Sequence, residues 1–353
     1  MSAPVPRPGP LNLITDVPGL RVGHATDEAV RSGVTALLVE GFWAAGVDVR
    51  GGGPGTRETE ALAPENLVGQ VHAIVLAGGS VFGLAAADGV AAALSARGQG
   101  LRLKPGAPAI PLVPAAVLHD LANGGDKQWG LEPPYRRLGL AAVEAAAERF
   151  EQGLIGAGRG AMAGLIPGGI GSTSIDLGDG LIVGALVAAN PIGSTLMPDG
   201  RTFWAWPFEL DGEFGGRRPA PGQAPVSEPM PDQSRLAVLG RTQAGANTTL
   251  AIVACNADLT SAECKRVAMM AQDGMARAVR PAHTPFDGDT VFAVAGGQQP
   301  LGSGNARQVQ VGRLGAAAAD CLARAIARAV YQGNQGNQGN QGGPQASARS
   351  TNG

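Results

Sequence analysis

Short apolar runs separated by glycine-rich turns mark the first half of the chain. Residues 33–39 and 73–76 are rich in apolar side chains, and the second run passes through Gly78-Gly79-Ser80 into an apolar periodic segment at 81–96. Short apolar runs bounded by turn residues are typical of buried strands, whereas a longer periodic segment indicates a helix. The first half is therefore predicted to alternate strand, glycine turn and helix.

The second half continues with the same alternation. Apolar runs at 181–187, 236–239 and 250–255 predict further strands. Thr260-Ser261-Ala262-Glu263 is a capping box, which predicts the start of a helix. Residues 201–232 are rich in proline, glycine and acidic side chains, a composition that predicts a mobile loop.

A closing helix sets the predicted end of the folded domain. Apolar residues recur every four positions from Leu314 to Val330, as on one face of a helix. Residues 332–353 begin with a repeated Gln-Gly-Asn unit and have almost no apolar side chains to contribute to a core. We therefore predict a flexible segment at 1–12, a single domain at 13–331 and a disordered tail at 332–353.

Composition and charge argue against several classes of partner. The 353 residues are 44 % apolar and 16 % charged, which allows a sizeable core, and 27 basic against 29 acidic side chains give a net charge of −2. Binding to nucleic acid or to an anionic membrane needs a positive field, so neither partner is expected. The sequence has no apolar stretch of membrane-spanning length and no apolar segment near Met1, so neither a span nor a secretory signal is predicted.

The cysteines and the other metal-ligating residues predict a reduced, metal-free protein. Cys255, Cys264 and Cys321 lack metal-ligand spacing, and each lies in an apolar strand or helix pattern, as a small buried hydrophobic residue would. The glycine-rich residues 156–164 lack the strand and the distal acid of a dinucleotide fingerprint. We therefore expect reduced thiols in the cytoplasm, no metal and no cofactor.

One candidate for chemistry is the junction of Asn247 and Thr248. Thr248 and Thr249 precede the apolar run at 250–255, so a hydroxyl lies at the mouth of a predicted strand. A threonine hydroxyl becomes an effective nucleophile when cleavage of the preceding bond frees its own α-amine as the base. Two β-branched residues also favour extended backbone, so the tripeptide by itself leaves a purely structural role open.

Asp287 and Asp289 form a second candidate, directly before an apolar run at 290–294. An Asp-Gly-Asp sequence is a good turn, but paired carboxylates can also orient a neighbouring hydroxyl or amine. The residues alone leave both interpretations open. A calcium-binding loop is excluded because the remaining ligand positions are missing.

Ser80 offers a third candidate, since it follows a predicted strand and two glycines and precedes a predicted helix. This order resembles the nucleophile elbow of serine hydrolases, but the residues read Gly78-Gly79-Ser80-Val81-Phe82-Gly83 instead of Gly-x-Ser-x-Gly. The spacing of the four histidines indicates no partner for a triad. Ser80 is therefore more simply predicted to line a pocket or to cap its helix.

Taken together, these segments resemble the DmpA-type aminopeptidase family, which includes the β-peptidyl aminopeptidases and the nylon-oligomer hydrolase. The resemblance spans roughly residues 13–331. Its carriers in chain order are Ile14-Thr15-Asp16-Val17-Pro18-Gly19-Leu20-Arg21-Val22-Gly23-His24, Val47-Asp48-Val49-Arg50-Gly51-Gly52 with Gly55-Thr56-Arg57-Glu58-Thr59, Ala77-Gly78-Gly79-Ser80-Val81-Phe82-Gly83-Leu84, Asn247-Thr248-Thr249 and Phe286-Asp287-Gly288-Asp289-Thr290.

The resemblance implies an α/β fold of four layers, an αββα sandwich related to ornithine acetyltransferase. It also implies self-cleavage between Asn247 and Thr248 into two subunits that stay together. Thr248 is then the nucleophile, where many relatives carry serine, and its freed amine is the general base. Asn190 matches the family asparagine that helps to stabilise the oxyanion, and Asp287 and Asp289 match the paired acids near the nucleophile.

Two positions depart from the family pattern. Relatives often place a lysine shortly after the second glycine-rich stretch, whereas residues 164–169 contain none here. Where some relatives carry a tyrosine near the active site, this chain has His119 or its neighbour Leu118.

The leading hypothesis is a self-processed aminopeptidase or amidase that removes N-terminal residues from short peptides, amides or β-peptides. Ser80, His119 and Thr249 are predicted to line its substrate pocket, and the cleaved units are expected to form a homo-oligomer. Three alternatives stay open, namely an endohydrolase of 6-aminohexanoate oligomers, an acyltransferase that passes the acyl group to an amine, and an uncleaved binding protein.

Overall fold

The computed structural model describes residues 6–222, 229–239 and 247–338. Within them the strands are β1 (Leu20–Asp27), β2 (Ser32–Val49), β3 (Thr56–Arg57), β4 (Gln70–Ala77), β5 (Ala115–Val117), β6 (Met162–Ala163), β7 (Ile166–Pro167), β8 (Gly169–Asp176), β9 (Ile182–Asn190), β10 (Thr248–Ala257) and β11 (Thr290–Gln299). The helices are α1 (Ala86–Ala96), α2 (Tyr135–Glu144), α3 (Leu236–Leu239), α4 (Ser261–Ala278) and α5 (Gly304–Gln338).

The fold has four layers, with helices α1 and α2 on one side, α4 and α5 on the other, and two β layers between them. The main sheet has the strand order β3-β5-β4-β2-β11-β10-β9-β8, and β1 also pairs with β2. The first half of the 18-residue strand β2 pairs with β1 and β4, whereas its second half pairs with β11. The predicted αββα architecture is confirmed, and β2 joins its two β layers into one hydrogen-bonded sheet.

The cores lie between the layers, and β10 shows how the sequence fills them. Ala251, Val253 and Cys255 pack toward α4 and α5, while Leu250 and Ile252 pack toward the other β layer. Successive strand residues face opposite sides of a sheet, so a strand buried on both faces reads as one continuous apolar run. A third core packs α1 and α2 against β1, β2 and β4.

Glycine lets the helices approach the strands very closely. A Cβ at Gly171 in β8 would come within 2.0 Å of the Ala325 carbonyl oxygen in α5, and one at Gly23 in β1 within 1.9 Å of the Ala142 carbonyl oxygen in α2. Any side chain would force these helices away from the sheet. This tight layer packing explains part of the high glycine content. None of the described helices is both long and apolar enough to cross a membrane.

One predicted strand and the predicted end of the closing helix are wrong. Residues 236–239 form the short helix α3 instead of a strand, because the Ser234 hydroxyl accepts a hydrogen bond from the Leu236 N–H and starts a helical turn. The closing helix continues past Tyr331 to Gln338, because the Asn334 side chain ties it to the carbonyl oxygens of Pro167 and Val330.

The segments predicted to be flexible or mobile are partly anchored. Glu213 accepts two hydrogen bonds from the guanidinium of the buried Arg324, and Asn12 donates to Glu213 at 2.7 Å. These bonds connect one residue of the predicted flexible segment 1–12 and one residue of the predicted mobile loop 201–232 to α5. At these two residues the chain is anchored, whereas composition predicts a segment without such contacts. Mobility of the 201–232 segment stays a prediction, since residues 223–228 lie outside the described part of the chain, as do 1–5 and 339–353.

The directions of four strands bring one end of each to the same edge of the sheet. Strand β10 runs parallel to β11 and antiparallel to β9, and β11 runs antiparallel to β2. The starts of β10 and β11 therefore lie at the same end of the sheet as the ends of β9 and β2. The candidate site occupies this end.

Candidate active site

Thr248 is the first residue of β10 and lies where these strand ends meet. The residue is 4 % exposed, and it pairs with Asn190, the last residue of β9. Asn247 forms a bridge with Asp287 in the turn before β11. Strand register therefore brings together the predicted scissile bond, the predicted oxyanion asparagine and one of the predicted acids.

The carbonyl group of Asn247 is held against the Thr248 hydroxyl. Its oxygen lies 2.5 Å from Thr248 Oγ1 and accepts a hydrogen bond from the Gly288 N–H at 2.9 Å. A Cβ at position 288 would come within 2.7 Å of Thr248 Oγ1, so this approach requires glycine. The Gly288 N–H thus polarises the carbonyl group that the hydroxyl would attack.

Asp289 holds the backbone beside Thr248. Its Oδ1 accepts a hydrogen bond from the Thr249 N–H at 2.8 Å. Its Oδ2 accepts one from the His283 N–H at 3.0 Å and lies 2.9 Å from His283 Nδ1. The carboxylate therefore fixes the start of β10 relative to the segment that precedes β11.

Asp287 holds the neighbouring turn in a similar way. It accepts hydrogen bonds from the Thr284 N–H at 2.9 Å and hydroxyl at 2.7 Å, and from the Ile192 N–H at 3.2 Å. Burial, followed by the nearby carboxylate of Asp289, raises the pKa of Asp287 to about 6. Both acids bond to groups around Thr248, and their catalytic role stays a prediction.

Asn190 is fully buried next to Thr248. Its Oδ1 accepts a hydrogen bond from the Met162 N–H at 2.8 Å, and its Nδ2 donates to the His119 carbonyl oxygen at 3.3 Å. These bonds fix the plane of the side-chain amide beside Thr248. Its role in stabilising an oxyanion stays a prediction.

Arg235 is a cation at the site that sequence reasoning missed. Its Nη2 donates to the carbonyl oxygens of Met162, Asn190 and Pro191 at 2.9, 3.1 and 3.0 Å. Burial lowers the pKa of Arg235 to about 10, and attraction to Asp287 opposes this shift. The guanidinium fixes the end of β9 and places a positive charge near the paired acids. Arg235 lies between the predicted loop at 201–232 and the predicted strand at 236–239, where no motif marks it.

An open cavity of about 590 Å³ adjoins the bond between Asn247 and Thr248. It combines Thr248 with polar side chains and an apolar wall, and its lining includes Asn247, Thr248, Thr56, Ser80, His119, Val81, Leu84, Val117 and Phe286. The structure thus places Ser80 and His119 on the cavity that Thr248 lines, and their contact with a substrate stays a prediction. Such a cavity can hold a small amide with an apolar body.

Thr249 is not brought into this cavity. It is fully buried, because successive strand residues point to opposite faces and Thr248 takes the cavity side. The serine-hydrolase alternative gains no support either. Within the described residues, no hydrogen bond joins the Ser80 hydroxyl to a histidine.

The part of the chain that the structure describes also contains no group of three or more His, Cys, Asp or Glu residues placed to hold a metal ion.

Comparison with known proteins identifies the family. The sequence model of Peptidase family S58 matches residues 12–342. The chain belongs to Peptidase family S58. This confirms the resemblance that the motifs indicate, and the chain is accordingly a peptidase.

Two curated relatives align with nearly the whole chain. An uncharacterized aminopeptidase of Mycobacterium tuberculosis is 41% identical over 335 residues, which are 90% of this chain and 92% of the relative. A 6-aminohexanoate-oligomer endohydrolase of a Kocuria species is 32% identical over 340 residues, or 92% of this chain and 88% of the relative.

A solved structure supports the fold. The L-aminopeptidase D-Ala-esterase/amidase of Ochrobactrum anthropi, described as a variant of the Ntn-hydrolase fold, superposes with a TM-score of 0.64 at 19% identity. The alignment covers 93% of this chain and 88% of that chain. The layered architecture is therefore that of an Ntn hydrolase.

Proposed function

We propose that this protein is a self-processing aminopeptidase in which Thr248 is both the cleavage site and the nucleophile. The observation that carries the proposal is the contact between the Thr248 hydroxyl and the Asn247 carbonyl group, whose oxygen also accepts the Gly288 N–H. A hydroxyl beside a polarised carbonyl group is the arrangement needed for attack on that carbonyl carbon. The family and the aminopeptidase name of the mycobacterial relative support the same activity.

Self-cleavage would release the α-amine of Thr248 at the site. That amine can then take the proton from Oγ1 when the hydroxyl attacks a substrate, which gives an acyl-enzyme ester. Asn190 lies beside Thr248, and we assign its Nδ2 to the developing oxyanion. Asp289, which already bonds the Thr249 N–H and His283, would hold the start of β10 in place through both steps.

The cavity supports a small peptide or amide as substrate. Its apolar wall includes Val81, which is 63 % exposed, and Phe286, which is 40 % exposed. Exposed apolar side chains at a cavity rim favour an apolar ligand body. We propose short peptides, amides or β-peptides with a free amino terminus as substrates.

A second candidate is endohydrolysis of 6-aminohexanoate oligomers. It is favoured by the Kocuria relative of that name and by the apolar wall, against which a methylene chain could pack. Exo- and endo-action differ in their first products. Linear 6-aminohexanoate hexamers should lose one terminal unit at a time under the first proposal, whereas internal cleavage would support the second.

We further propose that the cleaved units form a homo-oligomer and work in the cytoplasm. The three cysteines are free and buried, and such thiols suit a reducing compartment. Mass photometry of the purified, cleaved protein would test the assembly, and a single monomeric species would contradict it.

The decisive experiment compares the wild-type protein with Thr248→Ala and Thr248→Ser. Hydrolysis of aminoacyl p-nitroanilides should be lost in Thr248→Ala and retained in Thr248→Ser, because serine keeps the hydroxyl and the amine. Added amine acceptors test the acyltransferase alternative in the same assay. A Thr248→Ala protein that hydrolyses the substrates at the wild-type rate would contradict the proposal and favour a different nucleophile.

A further inference from the structure

The proposed self-cleavage needs a base other than the Thr248 α-amine, which serves as the base only after cleavage. Before cleavage the nitrogen of Thr248 belongs to a peptide bond, so it cannot accept the proton of its own hydroxyl. Some other group must take that proton when Oγ1 attacks. The further inference concerns this group, and it rests on the proposed self-processing at Thr248.

The two carboxylates near Thr248 are already engaged elsewhere. Asp289 accepts hydrogen bonds from Thr249 and His283, and Asp287 accepts hydrogen bonds from Thr284 and Ile192. Both are about 1 % exposed, and the cavity lining contains neither of them. The hydrogen bonds that these oxygens accept from other groups leave fewer lone pairs for the proton of Thr248 Oγ1.

His119 lies in the cavity itself, in the loop that follows β5. His119 and Thr248 line the same space. The loop is held on both sides, since the Ser80 N–H donates to the Leu118 carbonyl oxygen at 3.0 Å, and Asn190 Nδ2 donates to the His119 carbonyl oxygen at 3.3 Å. The backbone that carries the imidazole is therefore fixed at the cavity.

The imidazole also has free capacity for a proton. Among the described residues no hydrogen-bond partner reaches His119 Nδ1, although the atom is buried. Burial lowers the pKa of His119 below its usual value and Arg235 adds to the shift, whereas an interaction with the residue's own backbone and the charge of Asp120 oppose it. A neutral imidazole at neutral pH can accept a proton and return it.

We propose that His119 accepts the proton of Thr248 Oγ1 as the oxygen bonds to the Asn247 carbonyl carbon, and returns it to the Thr248 nitrogen as the C–N bond breaks. The product is an ester between the Asn247 carbonyl carbon and Thr248 Oγ1, with a free α-amine. Water then adds to the ester carbonyl carbon and the C–O bond breaks. One proton of the water restores the Thr248 hydroxyl, the other passes to the freed α-amine, and Asn247 leaves as a carboxylate. No oxidant or metal is required.

The test is the rate of self-cleavage in His119→Ala, followed by intact mass on protein freshly refolded from denaturant. General-base catalysis typically contributes about 10²- to 10⁴-fold, so we expect cleavage at least about 100-fold slower than in the wild type. Added imidazole should restore much of this loss, because the truncated side chain leaves room beside Thr248. Turnover by the fraction that has cleaved should fall much less, since the α-amine is then the base.

His72→Gln is the matched control, because His72 is another largely buried histidine whose pKa burial lowers, and it hydrogen-bonds Leu112 in a different part of the fold. It should cleave at the wild-type rate. His119→Gln provides a second variant of similar size if His119→Ala does not refold, and it too should cleave slowly.

Wild-type rates of cleavage in both His119 variants would overturn the inference and leave the proposed nucleophile intact. Slow cleavage without any rescue by imidazole would also overturn it and would assign a structural role to His119. A wild-type protein that never cleaves would instead remove the proposed function itself, so the two failures are distinguishable.

Discussion

The two walls of the candidate site differ in how firmly they are held. On the β9–β11 side, Asn190, Thr248, Asp287 and Asp289 are all at most 4 % exposed and are fixed by hydrogen bonds. On the β4–β5 side, Val81 is 63 % exposed and Leu84 is half-buried. From this difference we expect the buried wall to hold the reacting groups and the apolar side chains of the open wall to contact the substrate. Substitutions in the buried wall should therefore affect self-cleavage and kcat, and substitutions of apolar side chains in the open wall should affect KM. His119, which lies on the open side, is the exception proposed above.

The largest effect is expected for Asn190→Ala. Loss of an oxyanion donor typically lowers the rate by about 10²- to 10³-fold, so kcat should fall by that factor with KM nearly unchanged. Steady-state kinetics on the cleaved protein measure it. Asn256→Ala is the matched control. Asn256 is likewise a buried asparagine, but it lies near the end of β10 that is far from Thr248, where it bonds Ile182 and Gly180. Equal losses of kcat in both variants would contradict the assignment.

The next largest effect is expected for Gly288→Ala, on the rate of self-cleavage. The new Cβ would meet Thr248 Oγ1 at 2.7 Å and the Gly53 carbonyl oxygen at 2.9 Å, so the turn must shift and the Gly288 N–H must move from the scissile carbonyl oxygen. We expect self-cleavage to slow by about 100-fold, measured by intact mass over time. Gly312→Ala, whose Cβ would meet no atom within 4 Å, should cleave normally.

Asp287→Asn should change the pH dependence of stability. The pKa of Asp287 is raised to about 6 from 3.8, so the folded protein keeps this proton where the unfolded chain has lost it. The group therefore favours the folded state at low pH, and this contribution is lost as pH rises from about 4 to about 6.

The loss should amount to roughly 1–3 kcal/mol in wild type and should be absent from Asp287→Asn, as measured by urea unfolding at several pH values. Asp211→Asn, at an exposed position, is the control. Identical pH profiles for wild type and Asp287→Asn would show that Asp287 has no raised pKa.

The smallest effect is expected for Val81→Ala in the open wall. Removing two methyl groups from a partly exposed side chain costs about 1 kcal/mol or less of apolar contact, so KM should rise about threefold while self-cleavage and kcat stay the same. Val309→Ala, at a similarly exposed position on α5, should leave KM unchanged. Slower self-cleavage in Val81→Ala would remove the distinction between the two walls.

The sequence predicted the layers and the buried wall well. Continuous apolar runs marked the doubly buried strands, and the family motifs placed Thr248, Asn190, Asp287 and Asp289, which strand register then brought together. The β2 strand that joins the two β layers could not be predicted, because its two halves follow from pairing with distant strands.

The residues that sequence reasoning missed act through tertiary contacts. Gly288 read only as the centre of an Asp-Gly-Asp turn, and its role appears where its N–H meets the Asn247 carbonyl oxygen. Arg235 lay beyond a proline-rich stretch without periodicity, and three backbone carbonyl groups from distant positions fix it at the site. Neither contact leaves a local pattern in the chain.

The most direct test of the account is whether self-cleavage and activity appear together. Wild-type protein refolded from denaturant would be followed by intact mass, N-terminal sequencing and hydrolysis of an aminoacyl p-nitroanilide. We predict fragments of residues 1–247 and 248–353, the second beginning with Thr248, and activity that rises with the same rate constant as cleavage. Full activity in the intact chain, or cleavage at another bond, would contradict the assignment of Thr248.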